Sequence, residues 1–152
     1  MKHLLVVHSG QSGHTQAMCD AVCEGARAEA DAVEMRCRYA SQATIDDLLW
    51  ANALLLGTPE NFGYMSGLLK DFFDRTYYPA EGKTVGLPYA LFVSAGNDGS
   101  GAVRAIERIA TGYGWRAVAE PLILKGAIDA AGLQQCRDLG AALAAGLASG
   151  IF

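Results

Sequence analysis

Residues 4–15 of the chain read LLVVHSGQSGHT, and this stretch decides the fold. The uninterrupted apolar run Leu4–Val7 predicts a β-strand that is covered on both faces. Small and hydroxyl-bearing residues follow in loop 1 (Ser9–Thr15), and apolar side chains with helical spacing begin directly after it. A buried strand joined by a short loop to an amphipathic helix is typical of a parallel α/β sheet.

The same alternation of strand and helix continues to the end of the chain. Further strands are predicted at 33–38, 53–56, 89–93 and 115–124, the last one interrupted near Pro121. Helices are predicted over about 15–30, 44–51, 68–77, 102–113 and 133–147, the third of them closed by Pro79.

The second strand differs from the others. Val33, Met35 and Cys37 alternate with charged residues, so this strand has one exposed face and is expected at a sheet edge. The chain is therefore predicted to be one domain, residues 1–152. Its fold class is α/β, a doubly wound five-stranded parallel sheet in the order 2-1-3-4-5 with helices on both faces.

Composition excludes several classes of protein. Hydrophobic residues make up 51% of the 152 residues and charged residues 18%, so the chain can bury a core and is not disordered. The formal net charge of −4 argues against nucleic-acid binding, which needs a basic surface. No apolar run approaches the length of a membrane span, so no membrane association is expected.

The cysteines and histidines form no recognisable metal motif. The four cysteines contain no C-x-x-C pair and are expected to be buried free thiols in a reducing cytoplasm; they are Cys19, Cys23, Cys37 and Cys136. The three histidines have no cysteine or carboxylate partner at metal-ligand spacing, so no metal site is predicted; they are His3, His8 and His14.

Loop 1 has the composition of an anion site. It joins a buried strand to a helix N-terminus, where backbone N–H groups converge and the helix dipole favours negative charge. The loop contains no lysine or arginine, which suits a monophosphate better than a triphosphate with magnesium. Gly82-Lys83-Thr84 is not a Walker A motif, because Tyr77 stands where that motif has glycine.

Two more loops follow predicted strands at the same sheet edge. Loop 2 (Gly57–Gly67) carries Phe62 and Tyr64 in a turn rich in Pro, Asn and Gly. Loop 3 (Ser94–Gly101) has three glycines, which allow close backbone approach to a ligand. Ligands of open α/β sheets bind at this edge, so the three loops are the candidate site.

Several of these residues resemble a known family. Ser12-Gly13-His14-Thr15 resembles the flavodoxin phosphate-binding loop. Gly57-Thr58-Pro59, Phe62-Gly63 and the segment Met65–Thr76 resemble the flavodoxin-like NAD(P)H-dependent oxidoreductases, including WrbA-type quinone reductases. The resemblance implies a flavodoxin-like fold and bound FMN, with the phosphate on loop 1 and the isoalloxazine between loops 2 and 3. The cofactor-binding residues expected on this basis are Ser9, Gln11, Ser12, Gly13, His14, Thr15, Thr58, Pro59, Glu60, Asn61, Phe62, Gly63, Ser94, Ala95, Gly96, Asn97 and Gly99.

Loop 1 departs from the family at one position. Flavodoxin-type loops usually carry a hydroxyl three residues before the glycine, where this chain has Gly10. Ser12 and Thr15 are therefore stronger phosphate candidates than Ser9.

Two functions fit these features. The first is an enzyme in which FMN accepts hydride from NAD(P)H and passes electrons to a quinone or similar small molecule, with no catalytic side chain of its own. The second is a flavodoxin-type electron carrier. Loop 3 has no aromatic to cover the flavin, which favours the enzyme. The resemblance is compatible with a homodimer, because flavin reductases often complete the substrate pocket from a neighbouring subunit. The expected substrate pocket consists of Phe62, Tyr64, Tyr77 and Tyr78.

Overall fold

The first strand is an interior strand of the sheet, paired on both sides, and is buried along most of its length. The structure is a computed structural model that describes residues 1–152. Its strands are β1 (Lys2–His8), β2 (Val33–Tyr39), β3 (Ala53–Pro59), β4 (Pro88–Ala95), β5 (Arg116–Ala117) and β6 (Leu122–Lys125). Its helices are α1 (His14–Ala26), α2 (Ile45–Trp50), α3 (Gly67–Ala80), α4 (Ser100–Tyr113) and α5 (Ala130–Ser149), with a 3-10 turn at Arg27–Glu29.

The predicted sheet order is confirmed. The strands run in the order β2-β1-β3-β4-β5, all parallel, and β6 also pairs with β4. The predicted fifth strand is split: β5 pairs with the start of β4 at Pro88 and Tyr89, and β6 pairs with Phe92–Ala95. The interruption includes Pro121, which has no N–H group to donate to a ladder.

Alternation along β1 divides the interior into two cores. Leu5 and Val7 join the core beneath α2, α3 and α4. Leu4 and Val6 join the core beneath α1 and α5. The edge position predicted for β2 is confirmed, because only Val33 of its seven residues is buried.

Two expectations about individual residues are wrong. Pro79 does not close α3, which continues to Ala80; at the last turn a proline removes only one helical hydrogen bond. Cys19, Cys23 and Cys136 are buried free thiols as predicted, but Cys37 is exposed because it lies on the edge strand. None of the helices combines the length and apolarity needed to cross a bilayer.

Helices α1 and α5 pack at close range through two glycines. A Cβ atom at Gly25 would overlap the backbone carbonyl of Arg137, and one at Gly140 would overlap the carbonyl of Val22. These positions therefore set the separation of the two helices that cover one face of the sheet.

This close packing predicts opposite effects for two glycine-to-alanine changes within helices. Gly140→Ala should lower the free energy of unfolding by about 1–3 kcal/mol, because the helices must separate. Gly112→Ala in α4 is the control: its Cβ would have no neighbour nearer than 3.8 Å. It should raise the free energy by about 0.5–1 kcal/mol through helix propensity. Urea denaturation measures both, and equal effects would contradict the proposed contact.

Candidate functional site

The three predicted loops meet in one cavity at the carboxyl edge of the sheet. The cavity has a volume of about 180 Å³ and is lined by residues from all three loops and from the turn after β6. The lining residues are Ser12, His14, Pro59, Glu60, Asn61, Ser94, Ala95, Gly96 and Gly126. Gly126 was missed in the sequence, although it follows a parallel strand like the other three loops. Its N–H group donates to the Ala95 carbonyl at 2.8 Å.

The N-terminus of α1 has no side-chain cap. Its N-cap residue is Gly13, with φ of 91°, and no side-chain oxygen accepts from the first helical N–H groups. The starts of α2, α3 and α5 are instead capped by Thr44, Ser66 and Asp129. A Cβ atom at Gly13 would meet nothing within 4 Å, and the residues on either side of it, Ser12 and His14, line the cavity. The helix therefore presents free donors and the positive end of its dipole to a ligand.

The three hydroxyl groups of loop 1 have different surroundings. The buried Ser9 hydroxyl hydrogen bonds to the Ser66 hydroxyl. The Thr15 hydroxyl is also buried and lies 2.9 Å from the Ser94 hydroxyl. Ser12 is exposed and lines the cavity. Of the three hydroxyl groups, the one on Ser12 is thus left facing a ligand, and those on Ser9 and Thr15 tie loop 1 to α3 and β4.

Close packing explains why glycine occupies position 10. A Cβ atom there would lie 3.0 Å from the Thr15 Cβ and 3.1 Å from its hydroxyl oxygen. The Tyr39 hydroxyl also donates to the Gly10 carbonyl at 3.0 Å, which fixes the loop against β2. A hydroxyl-bearing residue at position 10, as flavodoxin-type loops usually have, would therefore require Thr15 to shift by a few tenths of an ångström.

Glu60 joins loop 2 to the start of α4. Its Oε1 accepts from the Gly99 N–H at 2.9 Å, and its Oε2 accepts from Gly101 at 2.9 Å and Ala102 at 3.2 Å. The N-cap residue Gly99 offers no side chain of its own, so Glu60 supplies the missing acceptor and a favourable charge. Because the Glu60 carboxylate accepts from these N–H groups, it holds loop 3 in position. Glu60 also borders the cavity.

Loop 2 contains a tight turn that exposes an aromatic ring. Asn61 and Tyr64 exchange backbone hydrogen bonds of 2.8 and 3.0 Å, and both residues between them have positive φ, 52° at Phe62 and 74° at Gly63. These values are typical of a type I′ turn. A bulky residue with positive φ is strained, and Phe62 is nevertheless fully exposed. Such strain at an exposed aromatic marks a candidate contact residue.

Two residues of the expected substrate pocket lie elsewhere. Tyr77 and Tyr78 are ten or more residues after Gly67 on α3, about 15 Å along the helix from loop 2. Tyr77 packs edge-on against Tyr113 near the end of α4, with ring centroids 5.1 Å apart. Tyr64, which belongs to loop 2, lines a groove together with Lys70 and Arg104. The sequence indicated that Tyr77 lies on a helix but did not show how far that helix carries it from the three loops.

The other predicted cofactor-binding residues fall into a buried group and an exposed group. Thr58 is buried: its hydroxyl accepts from the Ser66 N–H at 2.9 Å and donates to the Pro59 carbonyl at 2.8 Å. Gly99 is buried against Ile123. Gln11 and Asn97 are exposed at the rim. Asp98, beside them, accepts from the Ser100 hydroxyl and N–H at 2.7 and 3.2 Å, and these bonds lower the pKa of its carboxyl group.

Comparisons with known proteins bear on the family of this chain. The family model described as NADPH-dependent FMN reductase matches residues 4–122. A flavodoxin of Aquifex aeolicus is 36% identical over 101 residues, which are 66% of this chain and 54% of that protein. An NAD(P)H dehydrogenase (quinone) of Paracoccus denitrificans is 31% identical over 126 residues, 70% of this chain and 61% of that protein. The chain thus spans little more than half the length of these curated relatives.

Solved structures show the same fold. A flavodoxin from the domain Archaea superimposes with a TM-score of 0.85 at 24% identity, covering 95% of this chain and 98% of that one. A WrbA-like flavodoxin from Agrobacterium tumefaciens gives 0.78 at 22% identity, covering 99% of both chains. The fold is therefore flavodoxin-like, and since the family model covers most of the sheet and all three loops, the chain belongs to the NADPH-dependent FMN reductase family.

Proposed function

We propose that the protein is an FMN-dependent oxidoreductase that passes electrons from NAD(P)H to a quinone or similar small acceptor. The observation that carries this proposal is the uncapped N-terminus of α1, open to the cavity that the three loops share. The family model and the relatives named NAD(P)H dehydrogenase (quinone) support the choice of cofactor and substrates.

The residues at this edge fit FMN. The free N–H groups at the start of α1, with Ser12 and His14, would bind the phosphate. Pro59, Asn61 and Gly96 would border the ring system. The cavity is smaller than the roughly 300–1,000 Å³ of whole-ligand pockets, so part of the cofactor would lie along the open rim. When bound, FMN supplies the hydride and electron chemistry, while the chain binds and orients it.

The open rim favours the enzyme over the electron carrier. Loop 3 contains no aromatic residue that could cover the ring, and Gly96 and Asn97 are exposed. A nicotinamide or a quinone would therefore have access to the flavin, with Phe62 and Tyr64 beside it. Both substrates would use the same face in turn, which leads to ping-pong kinetics.

The proposal extends to assembly and location. Phe62, Tyr64 and Leu68 form an exposed apolar group on loop 2 and the start of α3, which a second copy of the chain would cover in a homodimer. Four free thiols support a reducing, cytoplasmic environment.

The first prediction of this proposal distinguishes the reductase from the electron carrier. The purified protein should bind FMN, and anaerobic NADPH or NADH should bleach the flavin absorbance, which a quinone then restores. Spectrophotometry measures both steps. If FMN binds but neither nucleotide bleaches it, the reductase proposal is wrong and the carrier remains; if no FMN binds, both are wrong.

The second prediction tests the phosphate site. Ser12→Asp puts a negative charge beside the uncapped helix start, so FMN affinity should fall by about 10- to 100-fold through repulsion of the phosphate. The same charge should stabilise the FMN-free protein by about 0.3–1 kcal/mol. Ser149→Asp, at the far end of α5, is the matched control and should leave FMN affinity unchanged. Fluorescence titration with FMN and with riboflavin, which lacks the phosphate, gives the comparison: riboflavin binding should change little in either variant.

The third prediction concerns the carboxylate that joins loops 2 and 3. Glu60→Ala leaves three N–H groups of loop 3 and α4 without their acceptor, so the free energy of unfolding should fall by about 1–3 kcal/mol. FMN affinity should fall as well, because loop 3 loses its support. Glu120→Ala removes the same charge from an exposed site and should change stability by less than about 0.5 kcal/mol. Thermal and urea denaturation measure the stability of both variants. Equal losses of stability would refute the role of Glu60.

A further inference from the structure

Three potential metal ligands from separate elements converge beneath loop 1. The ligand atoms of His8, Cys19 and Cys37 all lie within 4.8 Å of one another. The two sulfur atoms of Cys19 and Cys37 are 3.5 Å apart. His8 and Cys19 are buried, while Cys37 opens the cluster to solvent.

The topology explains why these residues meet. His8 ends β1 on the same face as Leu4 and Val6, which is the face that α1 covers. Cys37 stands opposite Val6 on β2, and Cys19 points from α1 into the same core. Each element contributes a single ligand, so no spacing in the sequence reveals the cluster.

The separations fit a bound cation. Zinc bonds of about 2.3 Å to sulfur and about 2.0 Å to nitrogen place tetrahedral ligands about 3.5–3.8 Å apart. The observed sulfur separation is close to that value, and small side-chain rotations would bring the imidazole to it. Cys23 lies one turn further along α1 and is buried in the same core as Cys19, so a change of its side-chain rotamer would bring a fourth ligand toward the cluster.

We propose that His8, Cys19 and Cys37 form a binding site for a thiophilic d¹⁰ cation, for which Zn²⁺ is the probe, with Cys23 able to complete four-coordination. The bound ion would join β1, β2 and α1 directly beneath loop 1, since His8 precedes Ser9. The site is distinct from the cavity that the three loops line and does not depend on the proposed reductase activity.

Metal analysis of the tag-free full chain, prepared with and without added FMN, tests this proposal. The reduced protein is mixed with a known excess of Zn²⁺, gel-filtered and analysed for zinc by mass spectrometry. One zinc per chain should remain, and added Zn²⁺ should raise the thermal midpoint. Competition with a chromophoric chelator then gives the affinity.

Two single substitutions provide the comparison. Cys37→Ser changes an exposed side chain and should lower zinc affinity by at least about 100-fold, with loss of the thermal shift. Cys136→Ser removes a buried thiol outside the cluster and should retain one zinc. Circular dichroism checks that both variants are folded.

Three outcomes would overturn the proposal. The first is that the wild-type protein retains no zinc, and the second is that Cys37→Ser binds zinc as tightly as the wild type. The third is that thiol counting finds a disulfide between Cys19 and Cys37 whose reduction does not restore zinc binding. None of these results bears on NAD(P)H oxidation, so this proposal and the proposed function can fail separately.

Discussion

The first N–H groups of every helix need acceptors, and the site depends on how this fold meets that need. Thr44, Ser66 and Asp129 cap three of the helices from within their own segments. At the start of α4 the acceptor is the side chain of Glu60, which belongs to loop 2. Helix α1 receives none. The helix that follows β1 is thus the one whose positive end stays available, and it opens on a cavity at the edge where parallel α/β sheets bind ligands.

Short polar side chains hold the surrounding loops in fixed relation to that helix. The hydroxyls of Ser9 and Thr15 reach Ser66 and Ser94, so loop 1 is tied to the beginning of α3 and the end of β4. Close backbone packing acts in the same way, because a Cβ atom at Gly101 would overlap the Gly63 carbonyl. Ser9, Thr15 and Gly101, which lie in the loops that suggested ligand contacts in the sequence, therefore pack these loops against their neighbours, whereas Ser12 and Gly96 line the cavity.

The fold and the position of the site could be predicted because both follow from local patterns. Uninterrupted apolar runs identified the buried strands, the alternation at Val33–Cys37 identified the edge, and the order of strands placed loops 1, 2 and 3 together. The partners of individual side chains could not be predicted. Glu60 and Ala102 are 42 residues apart, and His8 meets Cys19 and Cys37 only after three elements have packed. Tyr77 was misplaced for a related reason, since the direction and length of α3 carry it away from the loop.

Helix α1 connects these observations, because it is held along its whole length. Its start is fixed by Thr15, its second turn carries Cys19 beside Cys37, and Gly25 near its end lies against the backbone of α5. A helix anchored in this way keeps its free N–H groups in place before any ligand arrives, so little conformational entropy is lost on binding. Amide donors at a fixed helix start also act at short range, unlike the long flexible lysines that loop 1 lacks. Recognition of a phosphate there would rest on the shape of the backbone more than on net charge, which agrees with a chain that is acidic overall.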